Sequence, residues 1–161
     1  MTDLTKRYFD LKNALVKSDF TATKNTGGRV SQSLQAVDMK LLDDKAHHQW
    51  MDKEDQLRKS IEAISKAKDI EEQRKHFETL SDALIESVEL VGLTIDWFYV
   101  QFCPMAFEDK GAYWLSDSEK IKNPYFGDMM LNCGEVTKKI SSIDSYSDAN
   151  NKLIQQSEHK H

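Results

Sequence analysis

The sequence predicts a mainly α fold: an antiparallel four-helix bundle with a short β-hairpin and a loop-rich region near the C-terminus. Three observations predict it. Apolar residues recur at helical spacing through the first two-thirds of the chain. Short polar stretches separate these amphipathic segments, as in up-down bundles. The pattern then changes to a β-branched and aromatic run, after which both prolines and three of the six glycines fall between Cys103 and Gly134.

Leu4, Tyr8, Leu11 and Leu15 mark one face of the first helix, and Ser18-Asp19 supplies its stop and the N-cap of the next. The second helix carries Ala22, Val30, Leu34, Val37 and Leu41. Gly27-Gly28 interrupts it at a cost of roughly 1 kcal/mol per glycine relative to alanine. Either the helix breaks there or the glycines admit a close helix–helix approach, and a break or kink is the favoured expectation. Asp43-Asp44 caps a third helix bearing His47, Trp50, Leu57, Ile61 and Ile64. Asp69 starts a fourth, with Ile70, Phe77, Leu80, Leu84 and Val88 on one face, ending near Gly92.

The run Thr94 to Phe102 reads as a strand. A second short strand around Met129 to Leu131 is expected to pair with it, and Val136 to Ile140 to begin a closing element. Residues 1–147 are expected to form one domain, with 148–161 a flexible tail rich in small polar residues.

A chain of 161 residues with 39% apolar content is long enough for one core. Its net charge of −5 is spread along the chain, with no basic stripe to displace counterions from phosphates, so a nucleic-acid partner is not expected. No apolar run is long enough to span a bilayer. The start, Met1-Thr2-Asp3-Leu4, lacks the hydrophobic stretch of a secretory signal. Composition alone therefore favours a cytosolic chain.

The chemistry concentrates in two corners. Cys103-Pro104-Met105 follows the first strand, and Pro104, unable to continue a central ladder, leaves the flanking sulfurs in a turn. Asn123-Pro124-Tyr125-Phe126-Gly127 has turn composition and leads into Met129-Met130-Leu131-Asn132-Cys133-Gly134. Thiolate and thioether donors together select a soft cation such as copper(I) or silver(I), whereas zinc prefers nitrogen and thiolate ligands. A disulfide between the two cysteines, or two buried thiols with methionines as core fillers, remains open on composition alone. No Cys-x-x-Cys, nucleophile triad, phosphate-binding glycine loop or zinc-hydrolase motif is present, so no enzyme is expected.

A resemblance bears on this choice. The runs Tyr99-Val100-Gln101-Phe102-Cys103-Pro104-Met105-Ala106, Gly111-Ala112-Tyr113-Trp114-Leu115-Ser116, Ile121-Lys122-Asn123-Pro124-Tyr125-Phe126-Gly127 and Met130-Leu131-Asn132-Cys133-Gly134 resemble one bacterial family. It is the formerly uncharacterised domain found alone, or at the C-terminus of periplasmic adaptors of tripartite copper/silver efflux pumps. The likeness is dense over Gln101 to Gly134. It extends more loosely through Tyr8 to Val16, Ala46-His47-His48-Gln49-Trp50-Met51 and Arg74 to Ser81. It implies a domain that is periplasmic, or tethered to a membrane facing the periplasm, and that binds copper(I) or silver(I) for sequestration or transfer to an efflux system. The adaptor or pump components would be its partners. The ligand candidates it implies are Cys103, Met105, Met130 and Cys133, while Met129 falls at a position the likeness leaves free.

His47 and Met51 stand four apart on the third helix and share a face, so they are further candidate ligands that match the looser part of the resemblance. The sequence favours the alternative, in which His47 is solvated or capped and Met51 packs in the bundle. His48 and His76 are expected to be exposed, and His159 and His161 to bind metal only opportunistically. The aromatic residues from Trp97 to Phe126 are expected chiefly to pack the hairpin on the bundle, and also to shield a thiolate site from water.

Overall fold

The computed structural model describes residues 1–39, 42–91 and 97–141. Four long helices take up most of them. In α1 (Thr2–Val16) the side chains of Leu4, Tyr8, Leu11 and Leu15 are all buried, and burial of such a stripe stabilises a short helix more than propensity does. α2 (Phe20–Gln35) begins at Asp19, whose carboxylate accepts from the Ala22 amide. Asp43 caps α3 (Asp44–Lys66) through the Ala46 amide, and Asp69 caps α4 (Ile70–Val91) through the Glu72 amide. Each such cap satisfies an otherwise orphaned donor and contributes about 1 kcal/mol.

Consecutive helices pack on one another. The connections 17–19 and 67–69 are so short that their flanking helices must run antiparallel. Tyr8 of α1 stacks on Phe77 of α4, with ring centroids 5.2 Å apart, and joins the ends of the series. Leu57, Ile61 and Ile64 of α3 and Leu80, Leu84 and Val88 of α4 fill the interior.

The expected break at Gly27-Gly28 does not occur, because α2 runs through both glycines. Gly27 is buried against α3: a Cβ there would lie 3.3 Å from Ser65 Oγ and 3.8 Å from Ile64. Close packing of α2 on α3 offsets the helix penalty of glycine. Gly28 has open space around it. Gly28→Ala should raise stability by about 0.5–1 kcal/mol, while Gly27→Ala should gain less or lose stability. Urea titrations of the two variants side by side measure the difference.

The sheet has three antiparallel strands, β1 (Trp97–Cys103), β2 (Ala112–Ser116) and β3 (Glu135–Ser141), in the order β2-β1-β3. The first expected strand is present, although its expected start at Thr94 lies outside the described residues. So do the end of the fourth helix near Gly92, Leu41, and the tail 148–161. The strand expected at Met129 to Leu131 is absent. Gly127–Met129 is instead a 3-10 turn, continued by a turn bond from the Cys133 amide to the Met130 carbonyl. The partner strands of β1 are β2 and β3. In β2 Tyr113 alone faces outward while Ala112, Trp114, Leu115 and Ser116 are buried, so no two-residue alternation marks this strand in a stretch whose turn-forming neighbours suggest loop. The expected closing element at Val136 to Ile140 lies within β3. β2 packs on α4, and Phe98 of β1 meets Phe9 of α1 at 5.1 Å, which seats the sheet against the bundle.

Candidate metal centre

β1 and β3 pair with Phe102 opposite Glu135. That register carries Cys103, the last residue of β1, to the place where the chain enters β3 just after Cys133. The two Sγ atoms are 3.2 Å apart and share a hydrogen bond, and both cysteines are free thiols. Cys103 is completely buried, whereas Cys133 is partly open to solvent. The corners therefore meet, but through β3 and not through a strand at Met129.

The Cys133 thiol is pushed above its ordinary range, first by its hydrogen bond with Cys103, then by burial and by the neighbouring sulfur's charge. A backbone hydrogen bond from Met105 pulls the other way. Less thiolate at a given pH means slower attack on electrophiles. Cys133 should thus react with iodoacetamide more slowly than free cysteine near pH 7, and the gap should close as pH rises. Peptide mapping by mass spectrometry across that range checks the sign.

Asn123, buried in the loop before Cys133, organises this corner. Its Nδ2 donates to the Cys133 carbonyl at 2.8 Å, and its backbone amide donates to the Leu131 carbonyl. Its Oδ1 accepts from the amides of Tyr125 and Phe126. Arg74 of α4 holds the same loop from below. Its buried guanidinium donates to the carbonyls of Pro124 and Leu15, to Ser18 Oγ and to Glu71. Gly127 takes a positive φ of 57°, and a Cβ there would lie 2.5 Å from Ser18 Oγ and 3.0 Å from the Arg74 guanidinium. Only glycine fits that turn.

Trp114 and Tyr125 form a buried wall, with ring centroids 5.9 Å apart. Tyr125 Oη donates to the Tyr113 carbonyl, and a Cβ on Gly134 would touch the Trp114 ring at 3.0 Å. Trp114 therefore backs the residue that follows Cys133. Tyr8 completes the support: its hydroxyl accepts from the Leu115 amide and shares a hydrogen bond with Ser81. Burial drives the Tyr8 and Tyr125 hydroxyls well above the ordinary phenol range, so both are neutral donors and acceptors. The expected aromatic shield is only partial, since Trp97 and Tyr113 are substantially exposed.

Of the methionine candidates, Met105 is about half exposed, at 47%, and Met130 is half-buried. Met129 is largely exposed. Among the described residues, no three or more His, Cys, Asp or Glu side chains converge as a metal site. The donors shown together are thus the two thiols, with Met105 and Met130 on the turns that adjoin them in sequence; thiols joined by thioethers would suit a soft, low-coordinate cation and suit zinc poorly. His47 and Met51 lie elsewhere: both are exposed and line a groove with Met39 and Trp50 that includes neither cysteine. His48 is exposed as expected, whereas His76 is half-buried.

The sequence places Tyr8 on an apolar helix face and Asn123 in a turn, but points to no hydrogen-bonding role at the site for these two or for Arg74 and Ser81. Arg74 and Ser81 left a signal, since both are polar residues on the buried stripe of α4 that runs through Ile70, Phe77, Leu84 and Val88.

The family described as "Protein of unknown function (DUF3347)" matches residues 4–96, a span that contains most of α1 and all of α2, α3 and α4 and ends before β1. No curated protein and no solved structure matches the chain. Among the described residues, no helix is long and apolar enough to cross a membrane.

Proposed function

This chain belongs to the DUF3347 family of proteins of unknown function, and on that premise we propose that it is a soft-metal-binding domain of the periplasm, not an enzyme. It takes copper(I) or silver(I) as cargo, for sequestration or for transfer to an efflux system. The observation that carries this reading is the Cys103–Cys133 pair, with sulfurs 3.2 Å apart, one buried and one reachable from solvent. Cys103 and Cys133 would hold the ion, with Met105 and Met130 on the adjoining turns as thioether donors. Each thiol gives up its proton on binding, so affinity rises with pH. Cys133, the more open sulfur, is the one an incoming donor reaches first.

The family match covers the helices and stops before both cysteines. The efflux connection, with an adaptor or pump component as partner, therefore rests on the resemblance of the segment from Gln101 to Gly134. The helical half bears on the site through its contacts, because Arg74 holds the loop at Pro124, and Tyr8, bonded to Ser81, accepts from the Leu115 amide of β2.

The test is an anaerobic copper(I) titration against a chromogenic competitor, in which one tightly held equivalent is expected. Metal left entirely with the competitor would refute the reading.

The same sulfur proximity favours a second reading, a structural or interaction module closed by a Cys103–Cys133 disulfide. That bond requires loss of two protons and two electrons to an external oxidant, and a modest approach of the sulfurs to about 2.05 Å. A chain isolated with the disulfide, gaining two protons on reduction and then failing to bind copper, would establish it.

A further inference from the structure

We propose that the groove between the end of α2 and the first turns of α3 is a second soft-metal site, in which Met39, His47 and Met51 hold a copper(I) or silver(I) ion independently of the cysteine pair. The groove has a volume of about 470 Å³, and all three side chains line it. Two elements supply them. Met39 lies in the α2–α3 connection, where its carbonyl accepts from the Leu42 amide and fixes a turn just before the Asp43 cap. His47 and Met51 stand four residues apart on α3, so both project from one face towards that turn.

Met39 is half-buried against the core, whereas the surroundings of His47 and Met51 suit a ligand role better than a packing role. Met51 is 49% exposed, although a methionine recruited to fill the bundle would be buried as Trp50 beside it is, at 3%. His47 is exposed too, so its imidazole is accessible to an ion in the groove. Two thioethers and one imidazole are soft to borderline donors. The two thioethers match a monovalent copper or silver ion and offer little to magnesium or calcium. Glu54 at the rim adds a negative charge that attracts a cation. Without thiolates the site should bind more weakly than the cysteine pair, as befits a place where an ion is first captured. That biological use rests on the soft-metal reading above; binding in the groove does not.

The experiment is a silver(I) titration, in chloride-free buffer, of the full chain carrying Cys103→Ser and Cys133→Ser, with the methionine methyl groups labelled with carbon-13. One equivalent should shift the Met39 and Met51 methyl resonances and the His47 ring signals, with Met129 unmoved. Adding Met39→Leu and Met51→Leu should weaken binding by about tenfold or more, ~1.4 kcal/mol. Shifts confined to Met105 and Met130, uniform shifts at every methionine, or no shift at all would each overturn the proposal. Should the serine variant not fold, the unmodified chain is titrated beyond its first equivalent, and the second must report on Met39 and Met51. Failure of the cysteine reading is recognised separately, as a tight first equivalent that is missing or that survives both serine substitutions.

Discussion

Replacing both cysteines with serine should remove tight copper(I) binding, lowering apparent affinity by about a thousandfold or more, ~4 kcal/mol or greater. The expectation follows from the donor set. Serine oxygen is a hard donor that stays protonated at neutral pH, so it supplies neither the charge nor the polarisability of a thiolate. The single variants should differ. Cys133→Ser leaves one fully buried thiol behind a polar group, while Cys103→Ser leaves a partly open thiol that still meets an ion from solvent. A competitor titration of all three variants checks the order, with the double variant weakest. Unchanged affinity in the double variant would remove the cysteine corner from consideration. Circular dichroism must show the helices intact in each case, since Cys103 is part of the core.

Arg74→Ala should destabilise the whole chain by about 3 kcal/mol, because charged, buried hydrogen bonds each contribute about 1.5–3 kcal/mol and their partners are left unsatisfied. For a domain of this size that corresponds to a fall in Tm of roughly 6–12 °C. The partners are specific: the carbonyls of Pro124 and Leu15 and the Ser18 hydroxyl lie under the loop and lose the charged donor that Arg74 gives them. Arg74→Lys keeps a charge but not the planar fork, so it should recover part of the loss and not all. Because the loop runs on through Asn123 to Cys133, Arg74→Ala should also weaken copper(I) binding. An unfolding midpoint equal to that of the unmodified chain would show that the Arg74 contacts contribute nothing.

The bundle was legible because its signals are local. Asp19, Asp43 and Asp69 stand directly before the segments they cap, and the stripe of Leu4, Tyr8, Leu11 and Leu15 needs only helical periodicity to be seen. The Gly27-Gly28 pair was misjudged because the compensation lies across the bundle, at Ser65 and Ile64 of α3. The second strand was misplaced for a related reason. Met129 to Leu131 is apolar enough for a strand, but the positive φ at Gly127 and successive turn bonds take the chain around a corner there. β2, with three consecutive large residues at Tyr113, Trp114 and Leu115, pairs with β1 instead.

Local sequence sets four amphipathic helices, three of them opened by an aspartate cap, together with an aromatic strand and two cysteine corners flanked by methionine. Such properties depend on near neighbours in the chain. The meeting of the corners was decided by tertiary structure: a strand register that sets Phe102 against Glu135, and a loop held by Asn123 and Arg74, leave Cys103 and Cys133 with sulfurs 3.2 Å apart. It was also tertiary structure that placed His47 and Met51 beside Met39 and away from the cysteines. Spacing along a helix fixes which residues share a face, but what that face meets depends on residues distant in sequence.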